Sequence, residues 1–398
     1  MKAPPEAPAV PPTLAACVGQ PVATVDTPAA VIDLDAMERN LARMAAFART
    51  HGMRLRPHAK MHKSAALARL QMQAGAVGVC VQKTAEAEAL AAAGVTDLYI
   101  SNEVIDPAKL RRVAALARRL HAAGGRLAIA VDSLAGVARL AAAFDLPSGA
   151  DAQALIDVFV DIDVGQGRCG VPPGETAVAL AQAVAAQPAL RFSGLQAYHG
   201  RAQHLRSVAE RREAIARAAH AVLDTRARIE AAGLPVPLVT GAGTGTFALE
   251  TASGVWGELQ AGSYLFMDAD YAANAHDPAQ PGFEHALFIK SQVISVQAAH
   301  AVCDAGHKSH AIDSGLPRVH ALSGQAPWRF ANGGDEHGIL HPADAGGDLP
   351  RLGDTVWLIP GHCDPTVNLH DWLIGVRGGL AQGIVETLIR VDARGALT

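Results

Sequence analysis

Short β-branched runs alternate along most of this chain with longer alanine-rich stretches whose apolar positions recur at helical spacing. After an opening run at 30–33, strand candidates fall at 53–58, 77–82, 97–102, 126–132, 157–163, 192–198, 237–241 and 258–266. Helical patterns cover 35–50, 63–74, 107–123, 175–186 and 204–232. Strands in that number, joined by helical crossovers, predict an α/β fold of the (β/α)8 barrel type. A doubly wound open sheet shares the alternation, but no GxGxxG follows the first strand. Near residue 276 the pattern changes. Strand-like runs at 285–296, 301–303, 355–360 and 383–391 are separated by Gly- and Asp-rich turns at 331–336 and 343–347, the mark of an antiparallel β domain. The expected division is a mobile leader at 1–26, a barrel at 27–275 and a β domain at 276–398.

Composition narrows the function classes. Half of the 398 residues are hydrophobic and only 4% aromatic, so small side chains must pack helices closely onto a sheet. The net charge is −4 and no basic block occurs, which speaks against nucleic acid. The five cysteines (Cys17, Cys80, Cys169, Cys303, Cys363) are odd in number and widely spaced, which fits a reducing, cytoplasmic setting better than a disulfide framework. Residues 1–22 lack the basic and apolar blocks of a signal peptide. No run of 18 apolar residues exists, so no membrane span is expected.

The candidate chemistry sits where predicted strands end. Arg56-Pro57-His58-Ala59-Lys60-Met61-His62-Lys63 places Lys60 just past the first strand among cationic neighbours. Burial and such neighbours lower a lysine pKa and free its amine for a carbonyl, although a basic turn would read the same in isolation. Lys63 opens a helical pattern and reads as a surface lysine. Asp163-Val164-Gly165-Gln166-Gly167-Arg168 is a tight turn that can aim Arg168 inward. Gln196-Ala197-Tyr198-His199-Gly200 and then Gln203-His204 follow the sixth strand. Thr240-Gly241-Ala242-Gly243-Thr244-Gly245-Thr246, ahead of a helical pattern, offers backbone N–H groups and hydroxyls for a phosphate, with no Walker lysine. Tyr264, at the end of the eighth strand, is placed to cap that phosphate. In Pro360-Gly361-His362-Cys363-Asp364-Pro365, an extended segment would point His362 and Asp364 the same way, as ligands for a divalent cation, with Cys363 opposite.

Taken together, the Lys60 and His362 segments resemble the metal-activated D-threonine aldolases. These are pyridoxal 5'-phosphate (PLP) enzymes related to D-serine dehydratase and built on the alanine racemase-like fold (PLP fold type III). The resemblance runs from Thr27 to the C-terminus. It implies a homodimeric lyase that splits D-β-hydroxy-α-amino acids into glycine and an aldehyde. It implies that Lys60 carries the PLP Schiff base, that Arg168 faces the pyridine nitrogen, that Tyr198 and His199 line the ring, and that His204 is the base near the substrate hydroxyl. The D preference comes from the resemblance alone. In the related dehydratases the second metal ligand is typically a cysteine two after the histidine; here that place holds Asp364. The change favours the aldolase branch and a harder metal, Mn²⁺ ahead of Mg²⁺ or Zn²⁺. The alternatives are dehydration of D-serine or 3-hydroxyaspartate, and a non-catalytic PLP carrier. Loops at Asp304–Lys308, Asp313–Gly315 and Asn332–Gly338 also resemble the family's and are candidates to approach a barrel mouth.

Overall fold

The computed structural model describes residues 9–144, 155–322, 325 and 327–398. Eight parallel strands curl into the barrel: Arg54–Leu55, Val79–Val81, Asp97–Ile100, Arg126–Val131, Ile156–Asp161, Leu190–Ala197, Val239–Gly241 and Glu258–Leu259. Each pairs in parallel with its sequence neighbour from the second to the eighth, and the eighth pairs with the first. A parallel bridge from His58 to Cys80 joins the first strand's continuation to the second. The barrel interior holds Tyr99, Ala128, Ala130 and Phe159. Beside them runs a buried polar chain in which Arg56 meets Glu258 at 3.2 Å and Glu258 accepts from the Thr240 hydroxyl at 2.9 Å. The larger apolar core lies between the strands and the outer helices.

The expected crossover helices form. Leu34–Thr50 is capped by Asp33, which accepts from Ala36 N–H at 3.0 Å. Val208–Ala231 opens with a Ser207/Glu210 capping box, so the helix begins after His204 and not at it. The helices Thr84–Ala92 and Leu134–Ala143 were not legible in the sequence. Both are short and alanine-rich, which blurs the contrast between faces. The strand expected at 258–266 stops at Leu259, because Gly262 passes so close to the neighbouring chain that a Cβ there would lie 2.7 Å from the His58 carbonyl oxygen. The chain turns instead through Ser263–Leu265.

The β domain is an antiparallel sheet around Leu287–Val296. Its expected strands are present, and Arg318–His320, Trp328–Asn332, Gly338–Pro342 and Trp372–Arg377 join them. The opening strand Ala29–Asp33, assigned above to the barrel's stretch of chain, belongs here. It pairs antiparallel with Leu287–Val296 and parallel with Trp372–Arg377. Its residues Ala30, Val31 and Ile32 are buried, and only a central sheet position covers both faces of such a run. The leader is also more ordered than expected. Gly19 and Val22 donate to Val385 O and Gly383 O at 2.8 Å, and Val22 and Val25 are buried; residues 1–8 lie outside the described residues. A shared apolar core containing Leu55, Met61 and Leu259 from the barrel and Leu287, Val356 and Leu373 from the sheet joins the two units and fixes their approach.

Candidate active site

Lys60 lies in the turn Ala59–Met61, just past the first barrel strand. His58 caps this turn: its Nδ1 accepts from the Lys60 N–H at 3.4 Å, and its Nε2 lies 3.1 Å from Ser101 Oγ. Burial, together with the Lys60 cation, holds His58 well below the ordinary histidine range. From the β domain, the short helix Cys363–Val367 brings Asp364 to the same point. Lys60 and Asp364 are 304 positions apart in sequence, and their side chains form an ion pair. The Lys60 side chain keeps 38% exposure toward the pocket. Burial acts against its charge, but Asp364, with Tyr198, outweighs burial and holds the amine above the usual lysine value. That reverses the lowering expected from the cationic neighbours, because the sequence did not show the carboxylate opposite. Burial likewise opposes Asp364 ionisation, and Lys60 and His362 overcome it, so the carboxyl lies below its usual range.

His362 and Asp364 converge, but not on an extended segment. His362 is the residue capping the helix and Asp364 lies in its first turn, with His362 Nε2 3.8 Å from Asp364 Oδ1. Cys363 is buried, with its thiol 3.6 Å from the Met267 carbonyl oxygen. Two carboxylates set this geometry. Asp313 Oδ2 is 2.7 Å from His362 Nδ1, and buried Asp268 accepts from Cys363 N–H at 3.1 Å. Asp364 Oδ1 is buried and has no hydrogen-bond partner among the described residues.

The pocket between these groups is lined by Lys60, Arg168, Tyr198, Gly243, Thr244 and Asp364 from the expected set. Its walls also include His58, Gln82, Ser101, Gln196, Ala242, Gln260, Gly262, Ser263 and Tyr271. Of these, His58, Gln196 and Ala242 stand in the motifs quoted from the sequence, and Gln260, Gly262 and Ser263 fall in the expected eighth strand. Gln82 and Ser101 are single polar residues at strand ends and Tyr271 opens the short turn Tyr271–Ala273, and no local pattern marks their role. The Arg168 loop is a tight turn in which Asp163 Oδ1 accepts from Gly165 N–H at 2.9 Å and Gly167 N–H at 3.0 Å.

Several expected residues are not on the pocket wall. Thr240 faces the barrel interior and binds Glu258 and Gln260. Gly241 is packed against Ala197, and Gly245 spends its N–H on Gln203 Oε1 at 2.9 Å. Tyr264 does not cap the cup: its hydroxyl accepts from Gln71 at 3.2 Å in the core, while its backbone N–H donates to Thr244 Oγ1 at 3.0 Å. His199 lies under the Arg168 loop, where Gly165 leaves it room; a Cβ there would be 2.6 Å from its Nε2. His204 sits at the rim, with Nδ1 2.6 Å from Asp270 Oδ2 and its ring 5.6 Å from that of Tyr271. Lys63 is not a surface lysine: it is buried at positive φ and paired with Glu86 at 2.8 Å. Among the family-like loops, Asp313 reaches the site, whereas Lys308 and His307 pair with Glu336 and Asp335 at 2.7 Å.

The residues fit both implied groups. For a phosphate, the N–H groups of Ala242, Gly243, Thr244 and Gly262 donate to no backbone acceptor outside regular elements among the described residues, and a Cβ at Gly243 would meet Gln203 at 2.5 Å. For a cation, the bare Asp364 Oδ1 faces an imidazole nitrogen whose ring is oriented by a second carboxylate, an arrangement common around protein-bound metals.

Comparison with known proteins agrees with this architecture. Residues 32–270 match the family described as alanine racemase, N-terminal domain, and the chain belongs to it. Residues 286–376 match the "Putative serine dehydratase domain". Within this class, relatives at 42–43% identity are named aldolases, and one at 34% over 86% of this chain is a D-threo-3-hydroxyaspartate dehydratase of Delftia sp. (strain HT23). The chain is 43% identical to a 3-hydroxy-D-aspartate aldolase of Paracoccus denitrificans (strain Pd 1222), covering 95% of this chain and 94% of that one. It is 42% identical to a D-threonine aldolase of Arthrobacter sp, covering 95% of each. The crystal structure of D-threonine aldolase from Filomicrobium marinum superposes with a TM-score of 0.88 at 47% identity, over 96% of this chain and 99% of that one.

Proposed function

We propose that the protein cleaves D-β-hydroxy-α-amino acids to glycine and an aldehyde, using PLP and a divalent cation. The observation that carries this reading is the meeting of Lys60 from the barrel with His362 and Asp364 from the β domain in one pocket. Relatives of this length and identity are a D-threonine aldolase and 3-hydroxy-D-aspartate aldolases.

Lys60 would hold the cofactor, with Arg168 and Tyr198 beside its ring and the backbones of Ala242–Thr244 and Gly262–Ser263 around its phosphate. When bound, PLP delocalises the electron pair left on the substrate Cα as the Cα–Cβ bond breaks. His362 and Asp364 would hold the cation, which supplies Lewis-acid polarisation of the substrate β-hydroxyl. Asp313 accepts a hydrogen bond from His362 Nδ1–H, which leaves the lone pair on Nε2. His204 is the base for the hydroxyl proton: its Nδ1–H donates to Asp270 Oδ2, which leaves the lone pair on Nε2. Tyr271, whose ring lies 5.6 Å from that of His204, lines the pocket on the side of that base.

The imidazole and carboxylate pair suits Mn²⁺. The dehydratase of Delftia sp. HT23 supports the placement: variants replacing a histidine and a cysteine two positions apart have been solved, the latter in a metal-free form. His362 and Asp364 have the same spacing, with a harder second ligand. We propose also that the enzyme is a cytoplasmic homodimer. No helix among the described residues is long and apolar enough to cross a membrane.

The test is product identity. D-threonine should yield glycine and acetaldehyde, and D-3-hydroxyaspartate should yield glycine and glyoxylate. Chelation should abolish both reactions without releasing PLP, and Mn²⁺ should restore them. Ammonia with a 2-oxo acid as the main products would replace this reading with a dehydratase.

A further inference from the structure

A second group of metal-ligating side chains lies at the barrel mouth, apart from His362 and Asp364. Glu103 follows the third barrel strand, Asp132 follows the fourth, and Cys169 stands beside Arg168 in the loop after the fifth. One ligand atom from each lies within 4.8 Å of the other two. That is the spacing of donors around a single ion. Asp161, the last residue of the fifth strand, is 8% exposed and faces Glu103 and Asp132. The Asp161 carboxyl is within hydrogen-bond reach of Glu103, and Glu103 Oε1 is buried without a protein partner among the described residues. Gly170 N–H, 3.3 Å from Asp132 Oδ2, is the protein donor that serves the group.

Three packed carboxyl groups need a counter-charge. Arg168 is the nearby cation, but it turns into the cofactor pocket. We propose that Glu103, Asp132 and Cys169, backed by Asp161, form a second divalent-cation site, with zinc as its ion. Sulfur in the donor set selects zinc over manganese or magnesium, whereas His362 and Asp364 contain no sulfur. Without the ion Asp161 and Cys169 keep their protons: burial and Glu103 push Asp161 well above the carboxylate range and Cys169 up to about 11. Zinc binding releases the Cys169 thiol proton and the proton held between Asp161 and Glu103 to solvent. The bound ion ties the ends of the third and fourth strands to the loop that carries Arg168. This site does not depend on the aldolase reading.

The experiment counts metal on the full holoenzyme after zinc loading and removal of excess ion. Two equivalents per chain are expected. Cys169→Ser and Glu103→Gln should each retain one, and Asp364→Ala should lose the other. A second readout uses Cys17→Ser, which leaves Cys169 as the part-exposed thiol. Zinc should slow thiol modification there by at least about tenfold, since a bound thiolate is not free to react. A zinc content unchanged by both Cys169→Ser and Glu103→Gln, or a thiol rate indifferent to zinc, would overturn the proposal and leave a shared proton between Asp161 and Glu103 as the cluster's counter-charge.

Discussion

The barrel and the β domain furnish the same pocket by different means. The barrel spreads its contributions over many strand ends, from His58 to Ser263, and much of what it offers is backbone: the N–H groups of Ala242–Thr244 and Gly262. The β domain supplies two side chains two positions apart at one short helix, His362 and Asp364, each held by another carboxylate or ion pair. A site built from backbone tolerates side-chain change except at its glycines. A site built from two side chains depends on the groups that aim them. The barrel half should therefore fail completely at its single reactive lysine and otherwise degrade through stability, while the β-domain half should fail in a graded, metal-rescuable way.

The sharpest test of the barrel half is Lys60→Ala. Turnover should fall below detection, and borohydride reduction of the wild type should fix the pyridoxyl group onto Lys60. A pyridoxyl peptide containing Lys63 or Lys83 would reassign the anchor; the buried Lys63–Glu86 pair argues against the former.

The next effect belongs to the scaffold behind the phosphate cup. Glu250 is buried, accepts from Thr246 Oγ1 at 2.7 Å through one oxygen, and has no partner for the other. Burial, partly offset by Thr246, pushes its carboxyl up to about 7. In the unfolded chain it ionises near 4.5. The unfolded state therefore loses the proton first as pH rises. The stability associated with the neutral carboxyl is present below the unfolded value and is lost between there and about pH 7. The loss is on the order of 3 kcal/mol, at about 1.4 kcal/mol per pH unit. Glu250→Gln should flatten the decline in unfolding free energy between pH 5 and pH 8. An unchanged decline would mean that other groups cause it.

A smaller effect separates the β-domain half from the barrel half. Asp313→Ala removes the carboxylate that orients His362 and should weaken metal affinity by about 10- to 100-fold, with turnover recovered at high metal concentration. PLP content should stay unchanged. Loss of PLP in this variant would mean that the two halves are not separable.

Much of the fold was legible because a parallel sheet buried on both faces needs apolar strands spaced by helices, and that alternation is local. The antiparallel domain was legible only in part: Trp328–Asn332 and Gly338–Pro342 are short, half-exposed strands with weak alternation. Site residues with rare local context, such as Lys60, Arg168, His362 and Asp364, could be read from the chain. Single residues without such context, such as Gln82 and Ser101 at strand ends and Tyr271 in a short turn, could not.

The sequence by itself determined the alternation of strands and helices, the lysine after the first strand, the glycine-rich cup and the spacing of the two candidate ligands, because each is written within a few neighbouring residues. Tertiary structure alone decided which of these residues share a pocket. It turned Tyr264 and Thr240 into the core, put His199 beneath the Arg168 loop, and moved Ala29–Asp33 into the β domain. It also reversed the direction of the Lys60 pKa, since the charge state of a buried amine depends on the carboxylate brought against it from 304 positions away.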